Sequence, residues 1–349
     1  MKKLTVIDLF CGAGGLSYGF KLAGFDIIGG VEWNKAAMET HKQNFNTKFE
    51  FCGDIKEISD DTILKNFKGV DVIIGGPPCQ GFSSANRHEK EGEDPRNKLF
   101  FEYLRFVKLL KPKVFVIENV KEILTKDNGY AKEHIIEITE KLGYSVNVEI
   151  LNASEYGVPQ VRRRAVFVGF RKEYNTLFDF TKIKKVNHKV TVFDAIGDIC
   201  YPEQHISNAF LDYAHDSEIL YNHNPKLPNA KVVERISYVP QGGNWKDVPA
   251  NLWDTQRSNR HSSAYKRLSF EEPSITIDTG HMNYFHPVLN RIPTVRESAR
   301  LQSFPDSFIF AGNQGEQYKQ VGNAVPPLMA KAIAVEILKN LKEATQNEK

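Results

Sequence analysis

A buried-strand pattern that runs directly into a rigid cysteine loop is the feature that most constrains this chain. Residues 69–74 form an apolar, β-rich run bounded by turn residues, as in the buried strands of parallel sheets. The loop Gly75-Gly76-Pro77-Pro78-Cys79-Gln80-Gly81-Phe82-Ser83 then places Cys79 at the carboxyl end of that strand, where open α/β sheets bind ligands. Prolines fix the backbone before the thiol and glycines leave room around it. We predict a nucleophile at a ligand site, against the alternative of a buried structural cysteine.

Strand and helix patterns alternate along the first half of the chain and predict a doubly wound α/β domain. Residues 4–10 form an apolar strand pattern, Cys11-Gly12-Ala13-Gly14-Gly15 is a glycine loop, and Leu16 opens a helical pattern. This order begins a nucleotide-binding βαβ unit. The dinucleotide fingerprint requires a third glycine where this chain has Ser17, so a nicotinamide or flavin cofactor is only weakly supported.

Acidic residues follow the second and third predicted strands. Glu32 ends the strand over 25–31, where a carboxylate can accept both hydroxyls of a ribose, and Trp33 offers a flat face for a purine or a cation. Asp54 follows the strand around 49–51 and is suited to accept from an exocyclic amine. Each acid alone fits a helix cap or a solvated loop, whereas acids at successive strand ends favour a ligand site.

Charged residues also follow two later strands. Glu118 ends the strand over 114–117 and lies on the same edge as Cys79 if the sheet is parallel, where a buried carboxyl is suited to hold a proton. Arg162 and Arg164 enter a strand with side chains on one face, which indicates an anion or base clamp or, alternatively, an exposed basic edge. The polar segment 84–98 between these elements has little apolar content and is a candidate lid.

The alternation fails from about residue 181, which predicts a second, irregular, β-containing domain. Between Lys231 and Arg300 there are ten Lys or Arg against seven acids, interleaved with aromatic rings. This small excess of basic residues fits a surface that contacts phosphates and recognises bases, and it also fits an ordinary protein surface. A capping box at Thr294 and Glu297 then predicts a helix over 294–302, and a final helix is predicted from Leu328.

Composition limits the kinds of site, cellular location and partner that are expected for this chain. The four cysteines are scattered with no Cys-x-x-Cys pair, so a disulfide framework or structural zinc site is not expected. No stretch is expected to approach membrane-spanning length, which favours a cytosolic or nuclear protein. The net charge of +3 leaves a polyanionic partner open.

The whole set of motifs resembles the DNA (cytosine-5) methyltransferases of bacterial restriction-modification systems. The motifs follow the family order: Asp8 to Gly15, Glu32-Trp33, Gly53-Asp54-Ile55, Gly76 to Ser83, Glu118-Asn119-Val120, Gln160-x-Arg162-x-Arg164, Arg296-Glu297-x-Ala299-Arg300-Leu301-Gln302 and Gly322-Asn323-Ala324-Val325-Pro326-Pro327. The resemblance covers nearly the whole chain except about 182–275, where the family carries its variable target-recognition domain. It implies a discontinuous Rossmann-like catalytic domain over 1–181 and 320–349, a target-recognition domain over 182–290 and a connecting segment over 291–319.

The resemblance implies S-adenosylmethionine as the cofactor, S-adenosylhomocysteine as the product and no metal. The implied cofactor contacts are Phe10 near the adenine, Gly12 and Gly15 at the methionine part, Glu32 on the ribose, Trp33 on the purine, Asp54 on the adenine amine, and Pro78, Leu99, Asn323 and Val325 along the remaining wall.

The implied chemistry is thiolate attack by Cys79 on carbon 6 of a cytosine swung out of a duplex, which makes carbon 5 nucleophilic. Protonated Glu118 would hold ring nitrogen 3, with Arg162 and Arg164 positioning the base. The implied substrate contacts are Gln80, Ser83, Ser84, Ala85, Arg96, Gln160, Gly242 and Gly243.

The resemblance further implies a monomer in the bacterial or archaeal cytoplasm, associated with the nucleoid, that acts on double-stranded DNA and is paired functionally with a restriction endonuclease. Three alternatives stay open. The first is a transfer-RNA cytosine-5 methyltransferase, although the variable region of about 95 residues favours the recognition of duplex DNA. The second is a non-catalytic DNA-binding relative. The third is a cysteine hydrolase, although the sequence offers no partner histidine at another strand end.

Overall fold

The computed structural model describes residues 3–78, 98–253, 264–280 and 283–347. The chain divides into two compact units, and each is discontinuous in sequence. The first unit comprises Met1–Asn152, Arg163–Lys184 and Pro327–Lys349, and the second comprises Ala153–Arg162 and Lys185–Pro326. The assignment of catalysis and target recognition to particular ranges stays a prediction.

A seven-stranded sheet forms the centre of the first unit. Its strands are β1 (Thr5–Leu9), β2 (Asp26–Glu32), β3 (Phe49–Cys52), β4 (Val72–Gly75), β5 (Val114–Val120), β6 (Tyr144–Asn152) and β7 (Arg163–Arg171). They are ordered β3-β2-β1-β4-β5-β7-β6. The first five strands are parallel, and β7 runs antiparallel to both of its neighbours. The predicted doubly wound α/β fold is therefore confirmed.

The described residues of this unit form six α-helices: α1 (Gly15–Leu22), α2 (Lys35–Asn44), α3 (Asp60–Phe67), α4 (Lys98–Leu110), α5 (Tyr130–Lys141) and α11 (Pro327–Asn347). One large apolar cluster joins side chains of α3, α4 and α5 to alternate residues of the central strands, such as Ile7, Leu9 and Ile73. Strands buried on both faces read as continuous apolar runs, which explains why all four residues of β4 are buried.

The order of the strands creates a crevice at the centre of the sheet. From β1 the chain moves outward to β2 and β3, and then returns to the other side of β1 to form β4. Ligands of open α/β sheets bind where the strand order reverses in this way, beyond the carboxyl ends of the strands. Gly75 ends β4 in close contact with β1, since a Cβ atom there would lie 2.2 Å from the Leu9 carbonyl oxygen. The loop that leads to Cys79 therefore starts from this crevice.

The second unit is built from short helices and irregular chain. Its described regular elements are α6 (Val192–Cys200), α7 (Ala209–Ala214), α8 (Ala230–Ser237), β8 (Lys266–Arg267), β9 (Tyr284–Phe285), α9 (Val295–Leu301) and α10 (Gln314–Asn323). The capping box at Thr294 and Glu297 and the helix it predicts are confirmed. The sequence patterns did not predict α10.

Charged residues of α9 lie inside the second unit. Every residue of α9 is buried. Glu297 accepts both terminal nitrogens of Arg291 at 2.7 and 2.8 Å, and Arg300 pairs with Asp306 and with Asp198. Buried charges require such partners. The charged residues of α9 therefore belong to a network of ion pairs inside the second unit.

One helical stretch among the described residues is long and apolar enough to cross a membrane by length and composition alone, Gln314–Ala344. This corrects the expectation that no stretch approaches that length. Of the most apolar 18 residues of this stretch, 67% are buried inside the protein, as is common for a core helix.

Candidate active site

A glycine loop follows β1 at the centre of the sheet. Phe10, Gly12 and Gly14 all have positive φ angles, of 62°, 54° and 94°, so the chain reverses tightly before α1 begins at Gly15. No described atom lies within 4 Å of where a Cβ would stand on Gly12, so the backbone there is open to approach by a ligand. This loop fits the predicted contact with the methionine part of a cofactor.

Glu32 ends β2 beside this loop and is held by two backbone groups. Its Oε2 accepts from the Gly12 N–H at 2.9 Å and its Oε1 accepts from the Asn34 N–H at 2.8 Å. A carboxylate has about four lone-pair sites, so each oxygen retains capacity for a further donor. The carboxylate therefore both fixes the glycine loop and remains suited to bind hydroxyl groups.

The next strand end adds an aromatic ring and a second acid. Trp33 is 71% exposed, immediately after β2. The Gly53 N–H donates to the Glu32 carbonyl at 3.0 Å, which aligns the ends of β2 and β3. Asp54 follows, accepts from the Lys56 N–H at 3.1 Å, and keeps 28% of its side chain exposed. The structure thus brings together Phe10, Gly12, Glu32, Trp33 and Asp54 at adjacent strand ends.

Glu118 lies beside the loop that leads to Cys79. Gly75 pairs with Ile117 across the parallel strands β4 and β5, and Glu118 follows Ile117. Its Oε2 would lie 3.3 Å from a Cβ on Gly76. Asn119 donates its amide N–H to the Pro77 carbonyl at 2.9 Å. Glu118 therefore lies at the carboxyl end of β5 beside Gly76, and its position relative to Cys79 stays a prediction.

Several predicted residues lie outside the described part of the chain. These are Cys79, Gln80, Ser83, Ser84, Ala85 and Arg96, together with nearly all of the predicted lid over 84–98. Their roles stay predictions. Pro78 is exposed and Leu99, in α4, is half-buried.

The two predicted arginines have different surroundings. Arg164, in β7, pairs through Nε with Glu118 Oε1 at 2.9 Å. Arg162 precedes β7, is 1% exposed, and donates to the carbonyls of Ile277 at 3.2 Å and Gly322 at 2.8 Å within the second unit. The two guanidinium groups therefore have separate partners, Glu118 for Arg164 and backbone carbonyls for Arg162, and a clamp made of both stays a prediction.

Gln160 is also part of the internal structure of the second unit. Its side-chain amide donates to the Leu301 carbonyl at 3.2 Å and accepts from the Ile277 N–H at 2.9 Å. Val161 N–H donates to the Ser274 carbonyl at 2.8 Å. Any effect of Gln160 on DNA binding would therefore be indirect, through the backbone of Leu301 and Ile277 that its side chain holds in place. In the same unit, Asn323 is exposed at the end of α10 and Val325 is buried.

A glycine turn in the second unit rests on a buried arginine. Gly242 has a φ of 76°, and a Cβ on Gly243 would lie 2.6 Å from Asp247 Oδ2. The Gly242 N–H donates to the Arg267 carbonyl at 3.1 Å. The Arg267 guanidinium is 5% exposed and donates to backbone carbonyls that include that of Ile236, at 2.7 Å.

Buried arginines weaken the composition argument for a DNA surface. Four of the ten basic residues counted between Lys231 and Arg300 are buried: Arg267, Arg291, Arg296 and Arg300. Two others, Arg257 and Arg260, lie outside the described residues. Sequence reasoning missed this structural use of arginine, because charge alone does not distinguish a buried cation from a phosphate contact.

Sequence reasoning also missed a buried polar chain beneath the glycine loop, which links Asp8, Ser17, His41 and Glu50. The only signal was Asp8 at an otherwise apolar strand. Burial raises the pKa of the neighbouring Cys11 thiol well above its usual value, which makes it unreactive.

In the part of the chain that is described, no group of three or more His, Cys, Asp or Glu side chains is arranged to hold a metal ion. Metal-free chemistry stays a prediction.

The sheet order, the glycine loop and the acids at the strand ends define a Rossmann-like methyltransferase of the S-adenosylmethionine-dependent class. The chain belongs to the C-5 cytosine-specific DNA methylase family, whose model matches residues 4–339. It is a DNA cytosine-5 methyltransferase, as the resemblance in its motifs implied.

Relatives and solved structures agree with this family. The chain is 41% identical to the Type II methyltransferase M1.HphI of Haemophilus parahaemolyticus, over 96% of this chain and 87% of the relative. It is 37% identical to the Type II methyltransferase M.DdeI of Desulfomicrobium norvegicum, over 96% and 88%. The solved structure of an Escherichia coli prophage protein, described as a DNA modification methyltransferase, matches with a TM-score of 0.79 at 28% identity, over 97% of this chain and 100% of that one.

Proposed function

We propose that this enzyme methylates carbon 5 of a cytosine flipped out of a specific short duplex sequence, through a transient bond from Cys79 to carbon 6. The observation that carries the proposal is the position of Glu118 beside Gly76 and Pro77, three and two residues before Cys79 in the chain. A carboxyl at that edge can contact the ring of a base that a nearby thiolate attacks.

The residues at the adjacent strand ends fit S-adenosylmethionine. Glu32 would accept from the ribose hydroxyls, Trp33 would pack on the purine, and the open backbone at Gly12 would admit the methionine part. When bound, this cofactor supplies an electrophilic methyl group on sulfur.

The protein's own groups would prepare the cytosine. Attack by the Cys79 thiolate on carbon 6 makes the ring electron-rich, so that carbon 5 becomes nucleophilic. Protonated Glu118 would hydrogen-bond to ring nitrogen 3 of the cytosine. Its pairing with Arg164 fixes the direction in which the carboxyl points. After carbon 5 has gained the methyl group, it loses its proton and the bond to sulfur breaks by β-elimination, which restores the thiol.

The description of the family model supports DNA as the substrate, and the relatives' names, Type II methyltransferases, support a restriction-modification setting. We propose a monomer that protects host DNA in the cytoplasm, at the nucleoid, from a cognate endonuclease. Transfer RNA is not favoured, because the family model that matches the chain is that of the C-5 cytosine-specific DNA methylases.

Labelled S-adenosylmethionine incubated with duplex DNA, single-stranded DNA and transfer RNA tests the proposal. We expect label in the duplex alone, and bisulfite sequencing of DNA from expressing cells should show one methylated cytosine within one short sequence. Label in RNA with none in the duplex would overturn it.

Replacing Glu32 with alanine should weaken S-adenosylmethionine binding by about 10- to 100-fold. The change removes the proposed ribose acceptor and leaves the Gly12 N–H without the partner it has at 2.9 Å. Isothermal titration with the cofactor measures the effect. The exposed Glu39→Ala in α2 is the matched control and should bind as the wild type does. Equal affinity of Glu32→Ala would exclude the ribose assignment.

Replacing Gly243 with alanine should raise the KM for duplex DNA by about 10-fold, while cofactor affinity stays unchanged. The added Cβ would lie 2.6 Å from Asp247 Oδ2 and 2.7 Å from Pro240 Cδ, so the predicted DNA-contacting turn must shift. Steady-state methylation over a range of DNA concentrations measures it. The control is Gly280→Ala, where the nearest described atom to an added Cβ is at 3.4 Å. An unchanged KM would remove this turn from the DNA-binding surface.

A further inference from the structure

A chain of buried polar groups lies beneath the glycine loop, and the mechanism above does not use it. Ser17 Oγ lies 2.6 Å from Asp8 Oδ2 and 3.4 Å from His41 Nε2. On the other side of the ring, His41 Nδ1 lies 2.9 Å from Glu50 Oε1, which also accepts from Thr47 Oγ1 at 2.6 Å. Asp8, Ser17 and His41 are at most 1% exposed. Burial of this many polar atoms is costly unless each finds a partner.

The imidazole of His41 packs between the glycine loop and β2. A Cβ on Gly14 would lie 3.0 Å from His41 Cδ2, and one on Gly30 would lie 2.9 Å from His41 Cε1. Phe45 stacks on the same ring, with centroids 4.4 Å apart. Gly14 caps α1 and Gly30 lies two residues before Glu32. The ring therefore supports both elements that carry the proposed cofactor contacts.

With Glu50 ionised, two arrangements satisfy this chain of hydrogen bonds with one shared proton. In one, the Asp8 carboxyl is protonated and donates to Ser17, Ser17 donates to neutral His41 Nε2, and His41 Nδ1–H donates to Glu50. In the other, the proton is on His41 Nε2, which donates to Ser17, and Ser17 donates to the Asp8 carboxylate. A serine hydroxyl has one proton. When the shared proton is lost, Ser17 cannot donate to both of its neighbours, and one buried acceptor is left unsatisfied.

The surrounding charges favour keeping that proton. Burial raises the pKa of Asp8 to about 7; hydrogen bonds from Ser17 lower it, and the charge of Glu32 raises it further. For Glu50, burial raises the pKa, but the hydrogen bonds from His41 and Thr47 outweigh it, so the net shift is downward, with a smaller contribution from the charge of Lys42.

Two other titratable groups face Asp8. These are the Cys11 thiol and the Tyr103 hydroxyl, and burial raises the pKa of each well above its usual value, so both stay neutral near pH 7.

We propose that His41 is a positioning residue for the cofactor site, and that one proton shared along Asp8, Ser17 and His41 keeps the glycine loop and Glu32 aligned for S-adenosylmethionine. The inference rests on the proposed cofactor contacts of these elements. It predicts that loss of the proton loosens the loop and weakens binding, although none of the three residues is assigned a contact with the cofactor.

The test measures S-adenosylmethionine affinity by isothermal titration between pH 6 and pH 9. For the wild type we expect the Kd to rise by up to about 10-fold per pH unit above neutrality, the limit for linkage to one proton. Asp8→Asn cannot lose a proton and still offers Ser17 an acceptor, so its Kd should change little with pH. The control His188→Gln, at an exposed position, should follow the wild type.

The apoprotein gives a readout that needs no cofactor. The folded pKa of Asp8 is above its ordinary value of 3.8, so its contribution to stability is fully present below that value and is lost as pH rises through about 7. The wild-type Tm should therefore fall between about pH 4 and about pH 8 by more than the Tm of Asp8→Asn. Buffers with different ionisation enthalpies should also reveal proton uptake on cofactor binding near pH 8.

The outcomes separate this inference from the proposed function. Wild-type protein that binds the cofactor and methylates DNA, with a Kd that changes with pH equally in Asp8→Asn, would overturn the shared-proton chain and leave the proposed function intact. Wild-type protein that binds no cofactor at any pH would overturn both. His41→Gln removes the ring that supports Gly14 and Gly30 and should bind the cofactor more weakly than the wild type at pH 7. If this variant fails to fold, the comparison of the wild type with Asp8→Asn still decides.

Discussion

Replacing Cys79 with alanine should abolish methyl transfer to DNA, with a loss of about 10⁴-fold or more in rate. Carbon 5 of cytosine is a poor nucleophile until electron density enters the ring at carbon 6, and the side chain of alanine cannot supply it. Cofactor affinity should be retained, because the proposed contacts at Glu32, Trp33 and Asp54 come from other strand ends. Transfer of labelled methyl groups to duplex DNA measures the first effect and isothermal titration the second.

A trapped complex sharpens this test. With fluorine at carbon 5 of the target base, the methylated adduct carries no proton to lose, so β-elimination fails and the protein stays bonded to the DNA. The wild type and Cys52→Ala, which changes an exposed cysteine, should both form complexes that survive denaturing electrophoresis. Cys79→Ala should form none. Cys79→Ser that methylates DNA at a rate comparable to the wild type would remove the proposed covalent route.

Replacing Glu118 with glutamine should lower kcat by about 10²- to 10³-fold, the size of effect seen when one group that stabilises developing charge is lost. Glutamine keeps the shape of the side chain but cannot share a proton with ring nitrogen 3. It also loses the ion pair with Arg164, which is 2.9 Å away in the wild type. The Kd for the cofactor should stay unchanged, and the KM for DNA should change less than kcat. Single-turnover methylation isolates the chemical step.

The matched control is Glu122→Gln, which makes the same chemical change four residues after Glu118 in the chain. Glu122 follows β5, and 67% of its side chain is exposed. It should leave kcat unchanged. Thermal unfolding of both variants checks that the fold is intact. If folded Glu118→Gln turns over within about 2-fold of the wild type, Glu118 has no part in proton handling.

The first unit was predictable because its elements carry strong local patterns. The continuous apolar runs of β4 and β5, the glycine loop before α1, and the acids at strand ends each follow from burial and backbone conformation. Parallel strands bring their carboxyl ends to one edge, so the neighbourhood of Glu32, Asp54 and Glu118 followed from order alone. The motifs that resemble the family added the chemistry.

Arg162 shows why the rest was not predictable. A strand pattern assigns side chains to faces, but it does not say which groups they meet, and Arg162 donates to the carbonyls of Ile277 and Gly322, which are remote in sequence. Similarly, the charged sequence of α9 is typical of an exposed helix, yet long-range partners such as Asp198 permit its burial.

The sequence by itself determined the α/β class, the crevice at the ends of the strands and the residue types that carry the chemistry, because these depend on periodicity and on neighbours in the chain. Only the tertiary structure decided which charges are internal. It paired Arg164 with Glu118, buried Arg267 among carbonyls, and joined Asp8 to Glu50 through Ser17 and His41. Such pairings depend on distances between residues that are remote in sequence, and the sign of a charge does not encode them.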